Sequence, residues 1–388
     1  MREHAKAVRG AGHRVVVLHL GGPQGKLDGG FWRMEEELDP FSSEGIEAHH
    51  VFHRRSRAPG ASYALHFLSA IAAYRRTRAN GFRPDVIHAH VYGAGVPAAA
   101  ICARSGIPLV VTEHFSGVAR RSLSSVEARK ARYAYKRAAR LLPVSRFLEE
   151  AMRSYGIDEC FEVVPNVVDT SIFFPPDTER REANAERRLL FVGSLEPAQF
   201  KGFPTLLEAL DLLRANRRDW HLEVIGGGSE RASYEVSAAA LGLGEWMTFH
   251  GSQPKSVVAQ MMRTADLLVL PSRMETFGTA IAEGLASGLP VVSTTAGAIP
   301  ELVDEHSGRL VLPDDPAALA AALNHTLENI DDFDRPAIAD TARHKYSADV
   351  VGAQLGRIYE AVVAESKAGT AGSSLRRRRS PFRHEESS

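Results

Sequence analysis

The chain reads LLVLPSRMETFGTAIAEGLASGLP from Leu267 to Pro290. Its first four residues predict a buried strand, which ends at Pro271 because proline cannot donate to a sheet ladder. A short loop follows, in which Thr276 is placed to cap a helix that opens at Gly278. The free backbone N–H groups at such a helix start attract anions, above all phosphate.

Two glutamates lie on either side of this helix start. Glu275 is in the loop, and Glu283 is the only ionisable residue in the run Phe277–Leu289. An ionised carboxylate is costly to bury among small apolar residues unless something hydrogen-bonds to it. This arrangement suits a ligand with hydroxyls on both sides of its phosphates, such as a sugar nucleotide. On these residues alone, a core helix with one chance glutamate remains the alternative.

Strand-like and helix-like segments alternate along the chain, which predicts parallel sheets covered by helices. The predicted helices include Ala61–Arg78 and Ser124–Arg140. The predicted strands, most of them continuous runs of Val, Ile and Leu, are Val15–Leu20, Asp85–His90, Leu109–Thr112, Leu141–Val144, Glu162–Val164, Leu189–Val192, Leu222–Ile225, Met247–Phe249, Leu267–Leu270, Val291–Ser293 and Arg309–Leu312.

A length of 388 residues favours two domains. The stretch from Pro165 to Pro176, with the polar residues 177–186 after it, is typical of a hinge. We therefore predict an α/β protein with a first domain at residues 1–170 and a second at residues 171–364. Residues 365–388, with four arginines at 376–379, are predicted to be a disordered basic tail.

The start of the chain is unusual for this architecture. A helical pattern at Arg2–Arg9, ended by Gly10 and Gly12, precedes the first strand. A doubly wound domain normally begins with a strand that leads through a loop into that helix. The first strand of the first domain is therefore predicted to be missing, which suggests a start site assigned too far downstream or a fragment.

The distribution of charge and the cysteine content indicate which partners, which cellular compartment and which metal sites the sequence favours. Residues 1–165 carry 24 Lys and Arg against 16 Asp and Glu, and residues 166–364 carry 17 against 28, so the two halves suit different partners. Cys102 and Cys160 lie far apart without metal-ligand spacing, which predicts a reducing, cytoplasmic location. An Asp-x-Asp at 332–334 lies in an acidic connector, and we predict no metal site.

Glycines and a lysine follow two strands of the second half, where ligands of open α/β sheets bind. Gly193-Ser194 and then Lys201 follow one strand, and three glycines at 226–228 follow the next. Lys201 is a candidate cation for a diphosphate, and the glycines allow close approach of the backbone to a ligand. Ordinary turns and exposed loops contain the same residues, so a structural role without ligand binding remains the alternative.

Histidines follow strands of the first half. His114 comes directly after a strand end and is a candidate hydrogen-bond partner of a substrate hydroxyl or phosphate. His88 and His90 are read as alternating on another strand, so that only one faces the cleft, and His90 is the better candidate because it lies nearer the strand end. A structural histidine remains the alternative in each case.

Taken together, these segments resemble family-4 glycosyltransferases over roughly residues 1–360. The matches occur in the family's order and are Thr112-Glu113-His114, Pro165-Asn166-Val167-Val168-Asp169, Phe191-Val192-Gly193-Ser194 with Lys201-Gly202, Gly226-Gly227-Gly228, Phe249-His250-Gly251, and Glu275 with Glu283 eight residues on. The resemblance implies the GT-B fold, in which two Rossmann-like, doubly wound parallel-sheet domains face each other across a cleft. It also implies a final helix that packs back on the first domain.

The family implies a role for each matching residue. Glu275 would hold hydroxyls of the donor sugar, Glu283 would take the ribose hydroxyls, and Lys201 would neutralise the leaving diphosphate. His114, from the opposite domain, would reach the donor sugar near the acceptor. The further donor-binding positions are Gly193, Ser194, Gly227, the backbone near His250, Phe277, Gly278 and Thr279.

The resemblance further implies a retaining hexosyltransferase that needs neither a metal nor a cofactor, since Lys201 and the helix N-terminus supply the positive charge as the bond breaks. The implied partners are a nucleoside-diphosphate sugar and a saccharide or lipid-linked acceptor. The sequence departs from the family at Ser194, where an arginine is common, and its spacing to Lys201 is stretched. Arg273 is a candidate for the second cation. A catalytically inactive nucleotide-sugar-binding relative and a GT-B-fold epimerase remain alternatives.

Basic residues cluster around one predicted helix of the first half, interleaved with Tyr133 and Tyr135. Such a surface suits the anionic inner face of a membrane that presents a lipid-linked saccharide, with a solvated helix as the alternative. No nucleic-acid-binding module accompanies the charge, so no nucleic-acid partner is expected. The basic residues are Arg120, Arg121, Arg129, Lys130, Arg132, Lys136, Arg137 and Arg140.

Overall fold

A computed structural model describes residues 1–24, 31–36, 45–54, 56, 58, 60–158, 160–176, 186–197 and 200–378. Helices and strands alternate through both halves, as the sequence predicts. The first half contains α1 Arg2–Gly10, β1 Val16–Gln24, β2 Trp32–Glu36, β3 Glu47–Arg54, α2 Ala61–Ala79, β4 Ile87–His90, α3 Val91–Ser105, β5 Leu109–Glu113, α4 Ser116–Ala119, α5 Ser125–Tyr135, β6 Arg140–Pro143 and α6 Arg146–Arg153.

The second half forms one six-stranded sheet. Its elements are β7 Arg187–Val192, α7 Phe203–Asn216, β8 Trp220–Ile225, α8 Arg231–Ala240, β9 Met247–Gly251, α9 Lys255–Thr264, β10 Leu267–Leu270, α10 Thr279–Ala286, β11 Val291–Thr294, β12 Gly308–Val311, α11 Pro316–Glu328, α12 Arg335–Tyr346 and α13 Ala348–Arg378. All six strands lie where the sequence predicts them, and every neighbouring pair is parallel. Their apolar residues are buried because helices cover both faces of the sheet.

The strand order of this sheet is β12-β11-β10-β7-β8-β9. The chain starts in the middle at β7, winds outward to β9, and then returns to β10 on the other side of β7. This reversal leaves a crevice at the carboxyl ends of β7 and β10, the usual ligand position in open α/β sheets. The loop after β7 and the loop after β10 therefore meet at one place.

The strands described in the first half form two sheets of three strands each, β1-β3-β2 and β4-β5-β6. The second of these is parallel throughout, but β2 runs antiparallel to β3. The sequence does not predict β2 or β3, because β3 reads EAHHVFHR and lacks the apolar run of a central strand. As predicted, the helix α1 precedes the first strand.

Two predicted boundaries in the first half are wrong. Residues Glu162–Val164 form no regular strand, although they lie along β6: Phe161 makes an isolated parallel bridge with Leu141, and the N–H groups of Glu162 and Val164 donate to the carbonyl groups of Leu141 and Pro143 at 2.9 and 3.1 Å. The helix predicted to reach Arg140 ends at Tyr135, because Arg140 already begins β6.

The last helix, α13, packs against α1 and so joins the second half to the first. The apolar residues Val351, Leu355 and Ile358 of α13 lie in one cluster with Ala7 and Val8 of α1. The helix continues to Arg378 and so includes residues 365–378 of the predicted basic tail. Its first turns are fixed by packing, and helix propagation adds residues at little further cost. The rest of the predicted tail, and positions 177–185 of the predicted hinge, lie outside the described residues.

The two halves also contact each other at the start of α6. The Ser145 hydroxyl donates to the carbonyl of Thr276 at 2.7 Å. The N–H groups of Arg146 and Phe147 donate to the carboxylate of Glu301, each at 2.9 Å. A residue of the second half thus satisfies the helix start of the first. Within the described part of the chain, no helix has the length and apolar character needed to span a membrane.

Candidate functional site

The helix start predicted to bind an anion lies at the crevice between β7 and β10. Gly278 has a φ of 93° and opens α10, whose first residue is Thr279. No side chain caps this start among the described residues, so its N–H groups stay available. The prediction that Thr276 caps the helix is wrong. Phe277 is buried and meets the ring of Tyr346 edge-on, which fixes the loop from the far side.

Glu275 and Lys201, predicted on separate grounds, are in direct contact. The Nζ atom of Lys201 lies 2.6 Å from Oε1 of Glu275, and the Ser272 hydroxyl donates to the same oxygen at 2.8 Å. The Glu275 side chain is only 10% exposed, against 25% for Lys201. These two donors offset the cost of burying the carboxylate.

The contact depends on Gly202, the residue after Lys201. Gly202 has a φ of 66°, and a Cβ atom there would lie 1.8 Å from the carbonyl oxygen of Pro271. Only glycine therefore lets the loop before α7 lie against the end of β10. This close approach brings the lysine of one loop to the glutamate of the other.

The glycines after β7 and β8 allow a second close approach. A Cβ at Gly226 would lie 1.8 Å from the carbonyl oxygen of Gly193, and one at Gly228 would lie 2.1 Å from that of Leu195. Gly227, between them, lies beside Ser252. The predicted positions Gly193 and Gly227 are thus neighbours, and Ser194 next to them is exposed.

The candidate second cation, Arg273, pairs with Asp314. Its Nε atom lies 2.5 Å from Oδ1 of Asp314. The guanidinium group of Arg273 is therefore paired with the carboxylate of Asp314, whereas the ammonium group beside Glu275 is that of Lys201.

Glu283 lies one turn inside α10 and is 8% exposed. Burial raises its pKa to about 7, although Lys255 Nζ lies 3.7 Å from its Oε1 atom. The same ammonium lies 3.4 Å from Glu3 of α1. Lys255, at the start of α9, thus stands between a carboxylate of each half.

His250 is on β9, and its Nε2 atom donates to Glu223 at 2.5 Å. The side chain is thereby held by the neighbouring strand. The backbone carbonyl oxygen of His250 accepts a hydrogen bond from the side-chain amide of Gln253 at 2.7 Å. The backbone that follows turns at Gly251, whose φ is 68°.

In the first half, His114 lies next to His90, with ring centroids 5.9 Å apart. Burial lowers the pKa of His114 to about 4, so its imidazole is neutral near pH 7. Its Nε2 atom has no hydrogen-bond partner among the described residues. A buried ring nitrogen without a partner is suited to a ligand that offers one.

The prediction that His88 and His90 face opposite ways is wrong. Residues two apart on a strand share a face, and these two rings stack with centroids 4.7 Å apart. His88 is engaged at both nitrogens, by the Tyr359 hydroxyl at 2.6 Å and the Thr112 hydroxyl at 2.7 Å. It is held in the interior against α13, and His90 is the one beside His114.

Within the described residues, no three His, Cys, Asp or Glu side chains are placed to hold a metal ion. The strongest polar groupings are therefore the Lys201–Glu275 pair at α10 and the histidines of the first half.

Comparison with known proteins assigns this arrangement to a family. Residues 1–172 match the family described as Glycosyltransferase Family 4, and residues 186–329 match Glycosyl transferases group 1. The phosphatidyl-myo-inositol mannosyltransferase of Mycolicibacterium smegmatis is 32% identical over 287 residues, which cover 72% of this chain and 71% of that protein. The chain belongs to glycosyltransferase family 4.

Another relative of this glycosyltransferase is the MMP alpha-(1->4)-mannosyltransferase of Mycolicibacterium hassiacum, which is 29% identical over 72% of this chain and 71% of the relative. Solved structures confirm the GT-B fold. Sucrose-phosphate synthase from Thermosynechococcus elongatus superposes with a TM-score of 0.72 at 19% identity, covering 94% of this chain and 92% of that chain. Anabaena HepE in complex with UDP and glucose gives 0.72 at 20% identity, covering 92% and 95%.

Two polar residues at the site of this glycosyltransferase, Ser272 and Lys255, are not predicted from the sequence. Ser272 binds Glu275 and follows Pro271 directly, so its position in the loop was the available signal. No sequence pattern distinguishes Lys255 as a site residue, because an exposed helix start commonly carries a charged residue. Tyr135, predicted on the basic surface, is buried and bonds to Glu113.

Proposed function

We propose that this glycosyltransferase moves a hexosyl group from a nucleoside-diphosphate sugar to a hydroxyl of a saccharide or lipid-linked acceptor, with retention of the anomeric configuration and without a metal ion. The observation that carries the proposal is the contact of Lys201 with Glu275 beside the start of α10. It supplies a cation, a carboxylate and free N–H groups at the crevice of the second sheet.

The donor is proposed to bind with its diphosphate on the N–H groups at the start of α10 and on Lys201. The ammonium then passes from Glu275 to the phosphate, and the freed carboxylate accepts bonds from sugar hydroxyls. Glu283 takes the ribose hydroxyls, and the backbone near His250 meets the base. In support of this donor class, Anabaena HepE, which shares the fold at a TM-score of 0.69, was crystallised with UDP-glucose.

In the proposed reaction the bond from the sugar C1 to the leaving phosphate oxygen breaks, and the acceptor oxygen bonds to C1 from the same face. The acceptor proton passes to the leaving diphosphate. Lys201 and the helix N–H groups stabilise the charge that grows there. His114 stays neutral, because burial lowers its pKa to about 4, and offers a sugar hydroxyl a hydrogen bond.

The test uses Glu275→Gln, which keeps the size of the side chain and removes its charge. We expect kcat to fall on the order of 10²-fold, as for loss of one positioned polar contact, with a nearly unchanged Kd for the nucleoside diphosphate by calorimetry. Glu305→Gln, at a carboxylate whose side chain is 85% exposed and which has no proposed role at the donor site, serves as the control and should keep full activity.

Three outcomes separate this function from its alternatives. No binding of UDP, GDP or ADP by the folded chain contradicts the proposal. Binding without transfer to any acceptor indicates an inactive relative. An altered sugar nucleotide formed without any acceptor indicates an epimerase.

We further propose that the acceptor is met at an anionic membrane surface. The basic surface consists of the exposed or half-buried cations Arg120, Arg121, Arg129, Lys130, Arg132, Lys136 and Arg137. Lys130 lies 3.5 Å from the ring centroid of Tyr63, and Arg137 lies 3.9 Å from that of Tyr133. The eighth predicted cation, Arg140, instead pairs with Glu365 at 2.5 Å. Cations beside aromatic rings suit the headgroup region of a bilayer.

Vesicle co-sedimentation tests this surface. Phosphatidylcholine vesicles with added phosphatidylglycerol should retain the protein better than phosphatidylcholine alone. The double variant Arg132→Gln/Lys136→Gln should weaken that retention by about 30-fold, at roughly 1 kcal/mol per cation. Arg309→Gln/Lys345→Gln, which removes two exposed cations of the second half, is the matched control. Retention that ignores the anionic lipid would contradict the proposal.

A further inference from the structure

Glu113, the last residue of β5, is completely buried and has no part in the donor contacts proposed above. Among the described residues, four groups donate hydrogen bonds to its side chain. They are the N–H groups of His114 at 2.9 Å, Phe115 at 2.8 Å and Tyr92 at 3.0 Å, and the hydroxyl of Tyr135 at 2.6 Å.

The two oxygens of Glu113 hold two different segments. One is the loop after β5, and the other is the turn by which β4 passes directly into α3 at Val91 and Tyr92, which we call the loop after β4. Oε1 accepts both bonds from the loop after β5, and Oε2 accepts the bond from the loop after β4 together with that of Tyr135. The N-cap residues of α3 and α4 supply no side-chain cap among the described contacts. One carboxylate therefore serves both helix starts, and it joins the loop that carries His114 to the loop that follows His90.

The loop after β4 is held in an unfavourable backbone conformation. Val91 has a φ of 62°, in the left-handed region that β-branched residues avoid. The next residue, Tyr92, donates its N–H to Glu113, so this bond helps to hold the turn. Such strain persists only where the surroundings fix it, and it is common at binding sites.

We propose that Glu113 is a positioning residue, which fixes the loops after β4 and β5 so that the His114 imidazole has one place at the donor sugar. The inference rests on the proposed function, in which His114 contacts that sugar. The ionised carboxylate suits this role because a protonated oxygen would direct a hydrogen at a donor. Burial raises the pKa of Glu113, and the four donated bonds oppose that rise.

Glu113→Gln is the direct test. The amide has almost the same size, but its NH₂ group must face donors that now lack an acceptor. We expect kcat to fall on the order of 10²-fold, as for a displacement of about 1 Å at the reacting centre. The Kd of the nucleoside diphosphate should stay within about twofold, because its proposed contacts lie in the second half.

Tyr135→Phe is the milder variant and replaces Glu113→Gln if that protein does not fold. It removes one donor and leaves the three backbone bonds. If Glu113 acts through His114, Tyr135→Phe lowers kcat in the parent protein but not in the His114→Ala background. Tyr155→Phe is the matched control, since among the described residues its hydroxyl accepts a bond from the backbone of Leu123, at 3.3 Å, and makes none to Glu113, so kcat should not change.

A second measurement does not depend on turnover. NMR of protein labelled with ¹³C-histidine, with His114 assigned by the His114→Ala variant, reports the titration of its ring. Burial holds that pKa at about 4, and in Glu113→Gln or Tyr135→Phe it should move towards the ordinary 6.5 as the loop loosens.

The outcomes are distinguishable. An unchanged His114 titration, or losses in kcat that add fully in the His114→Ala background, would overturn the inference. Full activity of His114→Ala would refute the proposed role of His114 instead, and the NMR titration would then decide whether Glu113 positions the ring.

Discussion

Glu275 and Glu283 lie eight residues apart and have different surroundings in the folded chain. Glu275 is in contact with an ammonium and a hydroxyl within hydrogen-bond distance. Glu283 has a comparable exposure, but the cation nearest to it, Lys255, lies 3.7 Å away. Burial therefore dominates at Glu283 and raises its pKa to about 7. The two carboxylates thus differ in the groups that contact them, although their sequence context is similar.

The raised pKa makes stability depend on pH. In the unfolded chain Glu283 ionises near 4.5, and in the folded chain near 7. Between these values the unfolded chain releases a proton that the folded chain keeps, so stability that is present below pH 4.5 is lost as the pH rises to 7. Over this range the free energy of unfolding falls by about 3 kcal/mol. We expect Glu283→Gln to remove it, so urea denaturation should show the variant gaining relative to the parent from pH 5 to 7.5.

Glu305→Gln provides the control for this prediction, because Glu305 is exposed and its stability profile should match the parent. Parallel profiles for the parent and Glu283→Gln would contradict the prediction. If Glu283 also takes the ribose hydroxyls, nucleotide binding favours its ionised form. Affinity for the nucleoside diphosphate should then rise from pH 6 to 8 in the parent and stay level in the variant.

At the scale of elements, glycine contacts determine how the loops of the second sheet meet. Gly202 allows the loop before α7 to lie on the end of β10, and Gly226 allows the loop after β8 to lie on that after β7. Side chains at these positions would overlap backbone atoms, which cannot move aside as a flexible side chain can. The contact of Lys201 with Glu275 is thus a consequence of backbone geometry.

Gly202→Ala should therefore separate the two loops. The new methyl group would overlap the Pro271 carbonyl and would also take a left-handed conformation, so we expect a loss of more than about 3 kcal/mol in the free energy of unfolding. Gly156→Ala is the control, because Gly156 has a φ of 73° but open space around its Cβ position. It should lose only about 1 kcal/mol. Equal losses in the two variants would show that conformation alone, and not the loop contact, sets the effect.

How well the sequence predicts an element depends on whether its burial is encoded locally. β10 is a run of four apolar residues and is correctly predicted, because helices cover both of its faces. β3 is missed because its histidines and glutamate break the apolar pattern, and they are covered only in the folded chain, by pairing with β1 and β2 and by packing against α2. Glu113 belongs to the motif Thr112-Glu113-His114, but the four donors to its side chain come from three separate segments, which no local pattern reveals.

At the scale of the molecule, α13 connects the two halves. It follows α12 of the second half, yet its apolar side packs on α1 and on strands of the first half. The cluster contains Val110 and Leu142 of β5 and β6, so the core of the first half is completed by a helix that ends the second. Unfolding of one half should therefore expose apolar surface of the other, which favours a single cooperative transition.

Leu355→Ala should weaken this coupling. Leu355 is fully buried, and its truncation leaves a cavity between α13 and α1, with an expected loss of about 3 kcal/mol. The lost free energy of unfolding destabilises the first half, so calorimetry should show two transitions in place of the single transition of the parent. A bound nucleoside diphosphate should raise the midpoint temperature of only the upper transition, which is that of the second half. Val350→Ala is the matched control, since Val350 lies on the same helix and is 40% exposed, and it should leave the transition unchanged. A Leu355→Ala protein that still unfolds in one transition, lowered as a whole, would show that the contacts of α6 and Glu301 suffice to couple the halves without α13.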